Sequence, residues 1–222
     1  MSPRPNIDYI RRPQLITAAM EVIVERGIVA TRIADVADRA GTSSGAILYW
    51  FDSKDELLAA ALIEEDDLFY AEVTERVATG LTPAEQLALL IEAASQGGEW
   101  ALWMESWSRA LRDPEAARTR ERQDLRWRAV IAEVVSAGQQ SGDFRGDADP
   151  GDVAATLASL MDGLAVQVSL GDPEMPPERM VALARAVACE QLACELPQPE
   201  PALAEPSRPQ ATSAPAPSVV TA

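Results

Sequence analysis

The 222 residues are 47% hydrophobic and 24% charged, the composition of a folded chain with a sizeable core. Acidic residues outnumber basic ones 35 to 19, and the resulting net charge of −16 argues at first sight against a nucleic-acid partner. Histidine is absent and cysteine occurs only twice, which excludes histidine triads, histidine metal sites, four-cysteine zinc clusters and disulfide scaffolds.

The start of the chain has no apolar run of signal-peptide length. The most apolar stretch, residues 153–170, is broken by Ser159, Asp162, Gly163 and Gln167, so no membrane span is expected and the cytoplasm is the default location. Prolines fall where helices start or stop, at Pro13, Pro83, Pro114, Pro150, Pro173, Pro176 and Pro177. With no sustained period-2 alternation, the fold class is all-α, with about nine helices.

Leu15, Ala18, Ala19, Val22 and Ile23 form one face of a first helix that ends at Gly27. Thr31 is placed to cap a second, from Ile33 to Ala40, with Val36 and Ala37 turned inward. Gly41 closes it and Ser43 opens a third, to about Phe51. Ser53 caps a long fourth helix, with Asp55 and Glu56 in its first turn. Thr82-Pro-Ala-Glu85 has capping-box spacing and starts a fifth, stopped at Gly97-Gly98. The sixth spans residues 99–112, the seventh 114–141, the eighth 149–171 and the ninth 176–195. Residues 197–222 contain seven prolines among Ala, Ser and Thr and read as a disordered tail.

Residues 31–51 have the layout of a helix-turn-helix. Ala37 is small enough for the crossing, and Gly41 tolerates the turn. Ile47 and Phe51 anchor the second helix while Ser44, Ala46 and Leu48 are left for a groove. An ordinary αα-hairpin satisfies the same geometry. The Ala40-Gly-Thr-Ser-Ser-Gly45 turn, the aromatic run Tyr49-Trp50-Phe51 and the Ser53-Lys-Asp-Glu-Leu-Leu58 segment decide between them. Together they resemble the DNA-binding domain of the tetracycline-repressor (TetR) family over about residues 10–63. Arg11-Arg12-Pro-Gln-Leu-Ile16 and Ser44-Gly-Ala-Ile47 resemble, less closely, its choline-sensing BetI-like branch.

That resemblance implies phosphate contacts from Thr31 and Arg32, and it places Thr42, Ser43, Ser44, Gly45 and Ala46 in the first turn of a recognition helix. It also implies backbone contacts from Tyr49 and from Lys54, the sole lysine against eighteen arginines. Leu48 and Ala34 stand where many relatives carry polar residues, so base reading rests on short side chains and the thymine methyl, with Arg32 as a longer reach.

Trp100, Trp103, Met104, Trp107 and Leu111 share one helical face, as either a buried core stripe or the wall of a ligand cavity. Phe69, Tyr70, Trp127 and Met161 are available to complete such a wall. Indole faces attract cations, which Glu99, Glu105 or Asp162 would balance, so a quaternary amine or polyamine is the effector class expected first. A neutral aromatic or drug-like molecule fits the same stripe. Arg118, Arg120, Arg122, Arg126 and Arg128 read as a solvated ion-pair face with Glu115, Glu121 and Asp124. Cys189 and Cys194 fall roughly 140° apart on a continuous helix, poorly placed to bond.

These readings assemble into three parts: a DNA-binding domain over residues 1–56, a ligand-binding and dimerisation domain over 57–196, and the tail. The family resemblance implies a homodimer paired through the last two helices, a pseudo-palindromic double-stranded DNA operator and a small-molecule effector that releases it. No enzyme activity, cofactor or metal is expected. A helical protein-binding module with a vestigial helix-turn-helix is the alternative from another class.

Overall fold

The computed structural model describes residues 7–96 and 100–197. Among these residues there are nine helices and no strand: α1 (Ile7–Arg26), α2 (Ile33–Arg39), α3 (Ser44–Trp50), α4 (Lys54–Val77), α5 (Pro83–Gln96), α6 (Trp100–Ala110), α7 (Pro114–Ser141), α8 (Pro150–Ser169) and α9 (Pro177–Leu192). The all-α expectation holds. Glu99, the Gly97-Gly98 stop and residues 198–222 of the tail lie outside the described residues.

The described backbone divides into two units, one up to Leu58 and one from Ala59 onward. In the first, α2 packs against both α1 and α3. Leu15, Ala19, Val22 and Ile23 of α1 are buried, as are Val36, Ala37, Ile47 and Phe51. Gly27 and Gly41 adopt φ values of 79° and 62°, which only glycine reaches without strain, and so they end α1 and make the α2–α3 turn. Two expectations need correction. Pro13 lies inside α1 and does not open it: the helix begins at Ile7, and the missing N–H of Pro13 costs it a single internal bond. The cap of α2 is Arg32, whose backbone N–H donates to Asp35 Oδ2 at 3.2 Å. The Thr31 hydroxyl instead donates to the Gly27 carbonyl at 2.7 Å.

In the second unit α7 packs against α5, α6 and α8, and α9 against α5 and α8. Leu87, Leu90, Ile91, Ile131, Val135, Leu157, Met161, Met180 and Ala184 form its core. The Thr82–Glu85 capping box is present, with Thr82 N–H donating to Glu85 Oε2 at 2.8 Å and Glu85 N–H to Thr82 Oγ1 at 3.3 Å. Asp113 and Asp149 cap α7 and α8 through their carboxylates. The end of α7 is locked by Phe144, whose ring lies so close to Gly138 that a Cβ there would stand 2.1 Å from Cδ2. No helix of the described residues is long and apolar enough to cross a membrane.

The end of α9 also departs from expectation. The helix stops at Leu192 because Ala193 turns left-handed, with φ 48°. Cys194 N–H then bonds the Cys189 carbonyl at 3.3 Å, the six-to-one closure of a Schellman motif. That turn brings the two thiols, both free, into side-chain contact, where a continuous helix would have held them apart. Burial, aided by the neighbouring Cys189, pushes the Cys194 thiol up to about 11.

Candidate functional site

In the first unit, Ser43 caps α3 by accepting from Ala46 N–H at 3.2 Å. Ile47 and Phe51 face inward, 0% and 1% exposed, and so fix which face of α3 looks out. That outer face carries Leu48, 49% exposed, and Tyr49, 81% exposed, with Ser43 and Gly45 exposed in the first turn and Thr42, Ser44 and Ala46 half-buried. Tyr49 stands edge-on against the half-buried Trp50, with ring centroids 5.5 Å apart. Ser53 accepts from Glu56 N–H at 3.1 Å and Glu56 reaches back to Asp52 N–H at 2.7 Å, which fixes the start of α4. Lys54 is thereby held beside the α1–α2 loop, its Nζ 3.4 Å from the Val29 carbonyl.

Not every cation of this unit faces outward. Arg26 pairs with Asp35 at 2.7 Å, and Arg39 is clamped between Glu21 at 2.9 Å and Glu25 at 2.6 Å, so both tie α2 to α1. The Arg12 guanidinium lies over the Phe51 ring at 5.1 Å. Arg32 is exposed and in no ion pair of the described residues. Thr31 is corrected as a contact residue: its side chain is fully buried and its hydroxyl is spent on Gly27.

In the second unit α6 holds Trp100, Trp103, Met104, Glu105 and Trp107, all half-buried. Trp100 and Trp107 meet edge to face at 6.4 Å, two turns apart. Leu111 drops out of this stripe, because α6 ends at Ala110 and Leu111 is exposed. Phe69 of α4 and Trp127 of α7 meet at 5.9 Å, and with Tyr70 and Trp100 they pack against the core that contains Met161. Met161 itself is 2% exposed and serves as packing beneath that wall. One face of Tyr70 is covered by Arg126, 4.1 Å away, which is paired with Asp66 and, at 2.6 Å, with Asp67. Of the basic run on α7, Arg120 and Arg128 pair with Asp124 on their own helix, whereas Arg126 crosses to α4. No group of three or more His, Cys, Asp or Glu residues among the described residues could hold a metal ion.

Of the acids offered by the sequence as counter-charges, Asp162 on α8 is the one whose carboxyl is strongly perturbed. Its carboxyl is pushed up to about 6, first by burial and then by Asp124 across the α7–α8 contact, against the opposing pull of Arg120 and Arg128. Its position as an acid inside an apolar helix is legible in the sequence, but the approach of Asp124, Arg120 and Arg128 from α7 is not.

Comparison with known proteins matches two family models, "Bacterial regulatory proteins, tetR family" over residues 15–61 and "BetI-type transcriptional repressor, C-terminal" over residues 83–193. The HTH-type transcriptional regulator BetI of Stenotrophomonas maltophilia is 31% identical over 174 residues, covering 76% of this chain and 86% of that one. The regulator of the same name from Paraburkholderia phymatum is 30% identical over 179 residues, covering 77% and 88%. Among solved structures, a transcriptional regulator from Saccharomonospora viridis in complex with choline superposes with a TM-score of 0.76 at 28% identity, covering 83% of this chain and 98% of that one. A TetR regulator from Haloarcula marismortui shares the fold, with a TM-score of 0.75 at 24% identity over 83% and 99% of the two chains. TetR regulators bind DNA operators and small-molecule effectors and typically dimerise. With both family models matched and relatives about 30% identical over most of their length, the chain belongs to the TetR family of bacterial transcriptional regulators, as a repressor of the BetI type and not an enzyme.

Proposed function

We propose that the chain represses transcription as a homodimer on a pseudo-palindromic operator and is released by a small quaternary ammonium effector. Residues 1–56 read DNA: Thr42, Ser43, Ser44, Gly45 and Ala46 enter the major groove, and Arg32, Tyr49 and Lys54 contact the backbone. Residues 57–196 bind the effector and dimerise. The outward face of α8 and α9 supports pairing there, since Ser159, Gly163 and Leu183 are exposed and nothing crowds a Cβ built at Gly163. Two-fold symmetry then sets the operator symmetry. Effector binding weakens operator binding only to the extent that it favours the low-affinity state.

The observation that carries the effector class is the choline complex of the S. viridis regulator, which aligns over nearly all of its length. Phe69, Trp100, Trp103, Met104, Trp107 and Trp127 offer faces suited to a cation, with Glu105 on α6 and Asp162 on α8 as the acids proposed to balance it. Fluorescence anisotropy on DNA from the region upstream of its own gene tests this reading. Specific binding that choline reverses is the expected result. Specific binding insensitive to choline and to polyamines, but reversed by neutral aromatic compounds, would overturn the effector class while leaving the repressor intact.

A further inference from the structure

Tyr70 differs from the aromatic residues offered to the effector above, because one of its faces is already taken by a cation of the chain itself. The Arg126 guanidinium lies 4.1 Å from the ring centroid. The same group pairs with Asp66 and, at 2.6 Å, with Asp67. A ring face with two carboxylates beside it is the environment an organic cation requires of a protein. Asp66 is the demanding member, with a side chain only 13% exposed. Burial raises its carboxyl, and Arg126 and a hydrogen bond from Gln123 pull it back down. A carboxylate so placed is costly to leave unpaired, so the exchange that costs least here is one cation for another.

The clasp also has a position from which to act. Arg126 is on α7, whereas Asp66, Asp67 and Tyr70 are on α4. Helix α4 runs unbroken from Lys54 to Val77, starting in the unit that ends at Leu58 and carrying its half of the clasp in the other. Whatever loosens α4 from α7 therefore acts on the helix into which the reading head leads. Resting on the effector reading above, we propose that Arg126 is a tethered competitor of the effector. Its guanidinium holds Tyr70, Asp66 and Asp67 while the operator is bound, and the ammonium group of the effector displaces it and frees α4 from α7. The clasp is closed in the operator-binding state and open in the effector-bound one, so removing the guanidinium favours the effector and disfavours the operator together. A neutral molecule cannot make this exchange, because it leaves both aspartates without a cation.

Isothermal titration with choline and anisotropy on operator DNA, both on the full chain, test the proposal. Arg126→Met keeps the length of the side chain and removes its charge. Choline affinity should rise by about five- to thirtyfold, the worth of a cation–ring contact and two partly exposed ion pairs. Operator affinity without choline should fall by about fivefold or more. Tyr70→Leu opens the same clasp but deletes the face that both cations use, so operator and choline affinity should fall together. Arg126→Lys keeps a cation without the planar fork and should move both affinities as Arg126→Met does, by less. Arg122→Met removes an exposed charge one turn away on α7 and should leave both within about twofold of wild type. Choline binding unchanged or weakened in both Arg126 variants overturns the displacement and leaves the effector class standing, as does an equal gain in Arg122→Met. Unchanged operator affinity in both Arg126 variants overturns the link through α4. Choline binding by none of these chains, wild type included, overturns the effector class and the competitor with it.

Discussion

Asp162 is the residue whose state depends most on its surroundings. Burial raises its carboxyl to about 6, with Asp124 opposing ionisation and Arg120 and Arg128 favouring it. A native pKa above the unfolded one means that the folded chain holds this proton more tightly. The associated stability is therefore fully present below the ordinary carboxylate range and is lost as pH rises through about 6. Asp162→Asn should then stabilise the chain at pH 7.5 by on the order of 1–3 kcal/mol, with the advantage shrinking as pH falls through 6 and nearly gone by pH 4. Urea denaturation at the three pH values measures it. A variant less stable than wild type at pH 7.5 would mean that the carboxylate is paired. At this scale the sequence reached only part of the truth. Side-chain identity showed which residues could touch DNA, but the spending of Arg39 on Glu21 and Glu25 depends on how α1 and α2 cross, and that of Thr31 on Gly27 on the turn of the loop between them.

Elements were far more legible, because apolar spacing and caps are local. The capping box at Thr82, the Ser53 cap, the helix starts at Pro114 and at Asp149-Pro150, and the Gly27 and Gly41 stops were each readable from neighbours within a few residues. The misread end of α9 shows the limit of such reasoning. Nothing in the run Gln191-Leu-Ala-Cys194 announces a stop, since the residue that turns left-handed is an alanine. Tertiary contacts hold the turn: Arg145 N–H donates to the Leu192 carbonyl at 2.9 Å, and Arg185 donates to the Leu196 carbonyl at 2.9 Å. Alanine in that conformation carries a cost of about 1 kcal/mol that glycine avoids. Ala193→Gly should accordingly raise stability by about 0.5–1 kcal/mol, read as a shift in urea midpoint at constant m-value. Loss of stability would show that Ala193 contributes through its methyl group and not through its backbone.

At the scale of the whole molecule the charge decides how DNA is bound. Residues 1–56 carry seven basic and eight acidic residues, a net of −1, and residues 57–222 carry twelve against 27, a net of −15. The acidity that argued against a nucleic-acid partner thus belongs overwhelmingly to the residues that follow the helix-turn-helix, tail included. Even within the reading head, Arg26 and Arg39 are neutralised by α1 and α2 acids, which leaves a few placed cations instead of a basic patch. Non-specific affinity, which comes almost entirely from phosphate neutralisation, should be low, and each remaining cation should weigh heavily in specific binding. Lys54 and Arg32 are the two to remove. In a dimer each substitution deletes two phosphate contacts, so Lys54→Ala or Arg32→Ala should reduce the slope of log K against log salt by about 1.8 and weaken operator binding at low salt by roughly tenfold or more. Anisotropy titrations between about 50 and 200 mM salt measure both quantities in one series. An unchanged slope for Lys54→Ala would mean that its ammonium stays on the Val29 carbonyl in the complex, and would turn the sole lysine from a DNA contact into a brace between the α1–α2 loop and the start of α4.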